Sequence, residues 1–213
     1  MENLLIKYIF ASLAISITIF FIVTKYGVEH FNKVNAATFV FGSLVFGLTL
    51  RGLGVPFDYV FNYYTGGFVL FVAILALIFS RIMAFLTAFG LLFLLFLCLN
   101  LSIMPSSLIE NRQFFAIFSL LLPSVGLFLS RKYIIKITVG LWSGFYVCAI
   151  LYDILVLIAM DQIININAAL VNPKIATTFT EFFYLINIVV IIFCVYFQLA
   201  MHEKVFGKKV ESA

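Results

Sequence analysis

Seven apolar runs, each close to the thickness of a lipid bilayer and joined by connections of no more than about 20 residues, decide what this chain can fold into. A helix rises about 1.5 Å per residue, so about 20 apolar residues cross a hydrocarbon core about 30 Å thick. Runs of that length fall at Leu4–Thr24, Ala36–Gly54, Phe57–Phe79, Ile82–Met104, Phe114–Leu129, Ile134–Met160 and Thr178–Ala200. The spacing predicts an all-α integral membrane protein, a bundle of about seven transmembrane helices, with residues 1–213 forming one polytopic domain and no soluble domain appended. The third run carries Asp58, Asn62 and the pair Gly66-Gly67 in its first half, so six helices with a re-entrant third segment is the alternative. The composition excludes a soluble fold: 65% of the 213 residues are hydrophobic and only 10% charged, too little polar surface to cover a water-exposed domain.

Charge gives orientation. If seven helices alternate, one side holds Lys25, Lys33, Arg81, Arg131, Lys132, Lys136, Lys204, Lys208 and Lys209, while the other holds Lys7, Arg51, Arg112 and Lys174. Basic residues are retained on the cytoplasmic side, so 9 of them against 4 place the amino terminus outside and the carboxyl terminus in the cytoplasm. The acids divide the other way, with Glu29, Glu203 and Glu211 inside and Glu2, Asp58, Glu110, Asp153, Asp161 and Glu181 outside or in the outer half of the membrane. The first run has Glu2 before its single Lys7 and no small-residue cleavage site ahead of Lys25, so it is expected to stay as a first helix. Helical spans and this asymmetry point to a bacterial cytoplasmic membrane.

Lipid is as apolar as leucine, and helices within it associate where small residues let their backbones approach. Gly140 and Gly144 form a GxxxG unit in the sixth run, and Cys148 extends the same stripe by one four-residue step. Weaker small-residue pairs are Ser12 with Ser16, Ser43 with Gly47, and Ala84 with Ala88. Packing inside the bundle is the plain reading of these stripes, and a homo-oligomer interface is the other. Pro123 in the fifth run is expected to bend its helix.

A charge within the bilayer costs at least about 2.5 kcal/mol on insertion scales, which makes Asp153 the first candidate for chemistry. It lies seven residues before the end of the sixth run, and steps of three and four back from it meet Ala149, Tyr146 and Trp142. One face thus offers a carboxylate above two aromatic rings with polar tips, suited to holding a proton or a cation in an outward cavity. Arg51, Asn100, Glu181 and Asn187 share the outer half, and Arg51 is the natural partner of Asp153 or Glu181. The substrate or ion pathway is therefore assigned to Asp153, Glu181, Arg51, Asn187 and Tyr146, with Gly140, Gly144 and Cys148 reserved for packing. A polar collar of Asp58, Asn62, Glu110, Asn111, Arg112, Asp161, Asn165, Asn167 and Lys174 is expected on the outer rim.

Missing residues exclude several activities. The chain has no GxxxxGK[ST] for phosphates, no HExxH for zinc, no GxSxG nucleophile turn and no GxGD. Its two histidines, His30 and His202, both fall at cytoplasmic ends, so an intramembrane bis-histidine haem is not available. No lysine in the last run offers a retinal Schiff base. Cys98, Cys148 and Cys194 lie in three different runs and make no CxxC pair. No cofactor or metal is expected, and the short basic clusters suit helix ends rather than nucleic acid. The partners expected are the bilayer and either a membrane protein companion or a second copy. Three functions fit: a small transporter or channel with an outward polar cavity, proton- or cation-coupled; a non-catalytic subunit of a membrane complex; and an enzyme acting on a lipid-linked substrate with Asp153 or Glu181 as acid or base.

Overall fold

A computed structural model describes residues 2–52, 56, 62–103, 112–159 and 173–206, less the side chains of 2–5, 94–103, 112–119, 122, 158–159 and 173–184. The described residues are helical and contain no strand: α1 (Glu2–Tyr26), α2 (Phe31–Gly52), α3 (Tyr63–Ile78), α4 (Ser80–Ile103), α5 (Arg112–Leu129), α6 (Ile134–Ala159), α7 (Pro173–Tyr196) and a short α8 (His202–Phe206). A 3₁₀ turn at Arg131–Tyr133 leads into α6, and a π-helical turn at Phe197–Met201 joins α7 to α8. Four stretches are long and apolar enough to cross a membrane, Ile6–Tyr26, Phe31–Arg51, Arg131–Leu157 and Leu185–Phe206, while Tyr63–Ile78 and Ser80–Phe93 are shorter apolar helices.

The helix ends have local causes. Asn62, in extended conformation, caps α3 by accepting the Thr65 N–H at 2.8 Å, so the helix starts at Tyr63 rather than at the run's beginning at Phe57. Residues 57–61 lie outside the described residues. Helix α2 starts five residues before Ala36 because its polar first turns are used: Asn32 Nδ2 donates to the Leu77 carbonyl, and Asn35 is buried. Helix α5 runs through Pro123, and Ser124 Oγ donates to the Leu120 carbonyl nearby.

Helix α6 is the centre, packed against α1, α2, α4 and α7. The main core gathers Ile19 and Val23 of α1, Val45 of α2, Ala84 and Ala88 of α4, and Val139 and Leu141 of α6. Helices α1 and α2 run antiparallel, since Ser12 meets Thr49 and Val45. Helices α6 and α7 are antiparallel too, through the small-residue stripe. A Cβ at Gly140 would lie 2.6 Å from the Val195 Cα, and one at Gly144 would lie 2.9 Å from the Ile191 Cα. Cys148 continues the contact, its Sγ 3.8 Å from the Asn187 carbonyl oxygen. By contrast α2 and α6 run in the same direction, and the site lies between them.

Contacts at one end of the bundle collect Lys25, Arg131, Lys132, Lys136 and Lys204, with Lys33 and Arg81 on the first turns of α2 and α4 beside it. Lys136 Nζ pairs there with Glu203 at 2.6 Å. At this same end the π turn and α8 close the last turn of α1. Gln198 Nε2 donates to the Thr24 carbonyl at 3.1 Å, and His202 Nε2 lies 3.3 Å from the Lys25 carbonyl. Carbonyls in the last turn of a helix lack intrahelical partners, and the wider π turn lets Gln198 and His202 both reach α1.

Candidate functional site

Three polar rungs tie α2 to α6. Trp142 Nε1 donates to Asn35 Oδ1 at 2.9 Å, the Tyr146 hydroxyl donates to the Thr38 carbonyl at 3.2 Å, and Thr49 Oγ1 donates to Asp153 Oδ1 at 3.1 Å. The four-residue step from Trp142 to Tyr146 keeps both on one helix face, and the seven-residue step to Asp153 returns to that face two turns on. On α2 the middle and upper rungs are eleven residues apart, about 16 Å of helix. Between them the helices do not close.

That gap is a cavity of about 620 Å³, within the range of small-molecule sites. Its α2 wall includes Phe39, Gly42, Ser43, Phe46 and Thr49; its α6 wall includes Trp142, Phe145, Tyr146 and Tyr152. Leu91 of α4 and Asn187 of α7 complete it. The cavity is not sealed, because Phe46 at its edge is 65% exposed on the flank of α2.

The walls are aromatic and aliphatic, unlike the polar cavity expected from sequence. The physical reason lies in the rungs, which turn the polar atoms into the helix contacts. The Ser43 hydroxyl donates to the Phe39 carbonyl, while the Tyr146, Trp142 and Thr49 donors are committed to Thr38, Asn35 and Asp153. Asn187 Oδ1 is buried without a hydrogen-bond partner.

Asp153 is wholly buried, with 0% exposure, one hydrogen bond behind the Thr49 wall. Its Oδ2 accepts no hydrogen bond. The hydroxyls continue past it, since Ser12 Oγ lies 2.9 Å from Thr49 Oγ1 and 3.5 Å from the Val45 carbonyl. Ser16, one turn further along α1, is also fully buried. The expected arginine partner does not meet Asp153: the ion pair among the described residues is Lys136–Glu203, and the Arg51 guanidinium lies 5.8 Å from the Tyr8 ring centroid, engaged elsewhere. Thr49, two residues before Arg51, is the residue of α2 that faces Asp153.

Of the residues assigned to the pathway, the structure brings Tyr146 and Asn187 to the cavity and sets Asp153 just behind its wall. Glu181 lies on α7 and Asn100 on α4, with their side chains outside the described residues, as are those of Arg112 and Lys174. Asp58, Glu110, Asn111, Asp161, Asn165 and Asn167 also lie outside the described residues. Sequence reasoning missed Thr49 and read Ser12 only as a packing residue, whereas the structure sets both in the hydroxyl chain that ends on Asp153. It also missed Gln198 and His202, buried at the basic end with Gln198 Oε1 and His202 Nδ1 unpartnered. Their four-residue spacing on an apolar helix was the signal. Among the described residues no group of three or more His, Cys, Asp or Glu is placed to hold a metal.

The lower rung makes a stability prediction. Trp142→Phe removes the donor to Asn35, whose Nδ2 already has no partner, and strands a buried amide. The expected cost is about 2 kcal/mol, seen as a lower melting temperature of the purified protein. Adding Asn35→Leu should recover most of it, because no polar group is then left unpaired.

Compared with protein-family models, with curated proteins and with solved structures, this chain matches none.

Proposed function

We propose that the chain is a small membrane carrier of seven crossings, in which the cavity between α2 and α6 is the solute site and Asp153 is the coupling carboxylate. One observation carries the reading: a fully buried carboxylate with an unpartnered oxygen beside a cavity large enough for a metabolite. A scaffold has no use for such a group, since a buried carboxylate without an ion-pair partner lowers stability. The hydroxyl chain supports proton exchange because it can be satisfied in either direction. With Asp153 ionised, Thr49 donates to Oδ1 and Ser12 to Thr49. With a proton on Oδ1 the bonds reverse, and Ser12 turns to the Val45 carbonyl.

Proteoliposomes loaded with a pH dye test this reading. Sugars, amino acids, organic anions and organic cations are added in turn, and one class should start proton movement through the native protein. Asp153→Asn should abolish that response while the protein stays folded. An equal response from native protein and variant would sink the carrier reading.

Orientation belongs to the same proposal. The cluster of Lys25, Lys33, Arg81, Arg131, Lys132, Lys136 and Lys204 faces the cytoplasm of a bacterial inner membrane, and Asp153 lies toward the opposite, outer end of α6. A reporter active only in the cytoplasm should give signal when fused after Ala213 and none when fused before Met1. The reverse pattern would invert the model of which side the solute comes from.

A further inference from the structure

We infer that the cavity between α2 and α6 takes a lipophilic cation, an amphiphile with a bulky apolar body and a positive head; the inference rests on the carrier reading for its site and names the class of solute. Three features of the wall select that chemistry. The first is aromatic surface: Phe39, Phe46, Trp142, Phe145, Tyr146 and Tyr152 line the space, and the faces of such rings attract cations and repel anions. The second is that four of the wall's hydroxyl and indole donors are already committed. Ser43, Thr49, Trp142 and Tyr146 each spend their proton inside the protein, so an anion entering the cavity finds none of them to receive it.

The third is the pair of polar atoms left over. Asn187 Oδ1 and Asp153 Oδ2 are buried without hydrogen-bond partners, and both are acceptors. One belongs to a residue of the cavity wall, and the other lies one hydrogen bond behind it through Thr49. A buried carboxylate keeps its charge only when a positive group pays the electrostatic cost, and a cation in the cavity supplies that group. Charge then balances at the site: when Asp153 is protonated, one cation enters as one proton leaves the carboxyl, and the net charge inside the membrane is unchanged.

The chain provides its own reporter, because Trp142 is the single tryptophan and lines the cavity. Purified protein in neutral detergent is titrated with tetraphenylphosphonium and, separately, with tetraphenylborate, ions of nearly the same shape and opposite charge. Tetraphenylphosphonium should change Trp142 emission saturably and bind about tenfold tighter than tetraphenylborate, and Asp153→Asn should reduce that preference to about threefold or less. Equal binding of the two ions to the native protein overturns the inference without any variant. Saturable binding of unchanged affinity to Ala149→Phe, whose ring narrows the cavity that Ala149 lines, also overturns it by placing the cation elsewhere. The two proposals fail separately. Cation-selective binding without proton movement in proteoliposomes sinks the carrier and keeps the ligand class, whereas proton movement driven by a sugar or an acid, with no cation preference, does the reverse.

Discussion

Gly140→Leu is expected to yield almost no monodisperse protein. The Cβ alone would lie 2.6 Å from the Val195 Cα and 3.1 Å from the Val195 backbone nitrogen. A leucine adds three further carbons where the α7 backbone already stands, and backbone cannot rotate aside as a flexible side chain can. Helices α6 and α7 must then separate along the stripe that Gly144 and Cys148 continue, losing close packing that no water-driven term in lipid replaces. The cost should reach about 3 kcal/mol or more, at the upper end for overpacked sites. Gly66→Leu is the control. A Cβ at Gly66 meets nothing within 4 Å, so that variant should melt within about 0.5 kcal/mol of the native protein. Equal yields of the two leucine variants would show that the α6–α7 contact is not what the stripe serves.

The second large effect is a separation of stability from activity. Asp153→Asn is expected to raise the melting temperature, by about 1 kcal/mol of stability, while removing coupled flux altogether. The side chain keeps its size, and Thr49 can still donate to the remaining oxygen. What disappears is an ionisable group at 0% exposure with one oxygen unpartnered, a feature that weakens the fold and is kept only for use. If Asp153 were instead a structural pin between α1, α2 and α6, the same substitution would lower the melting temperature. Melting and flux measured on one preparation distinguish the two. A variant that is both less stable and fully active would overturn the role given to Asp153.

Much of the architecture is legible in the sequence because bilayer thickness converts directly into run length. The sixth run, read as Ile134–Met160, is the helix Ile134–Ala159. Boundaries shift where polar residues belong to a helix, as Asn32 and Asn35 do in α2, since hydropathy gives them to a loop. A buried carboxylate was equally readable, because few sequences keep one in such a run. Its partner was not. Charge complementarity pointed from Asp153 to Arg51, but helix rotation decides which residue near the end of α2 faces inward, and it chose Thr49. A cavity was expected, but its apolar lining was not legible, for it follows from how the polar atoms turn into the contacts between two parallel helices. Gln198 and His202 were hidden for a similar reason, since the π turn that brings them to α1 leaves no mark in composition.

The clamped pair has one more consequence. Helices α2 and α6 are tied on both sides of the cavity, by Trp142 and Tyr146 at one end and by Thr49 with Asp153 at the other. If the chain spans the bilayer as proposed, the open edge lies along the helices past Phe46, where acyl chains and not water would be the neighbours. A solute that enters there is drawn from the amount dissolved in the membrane leaflet. Apparent potency across a series of compounds should then follow oil–water partitioning as much as fit, and doubling the lipid at constant total compound should weaken binding as dilution would.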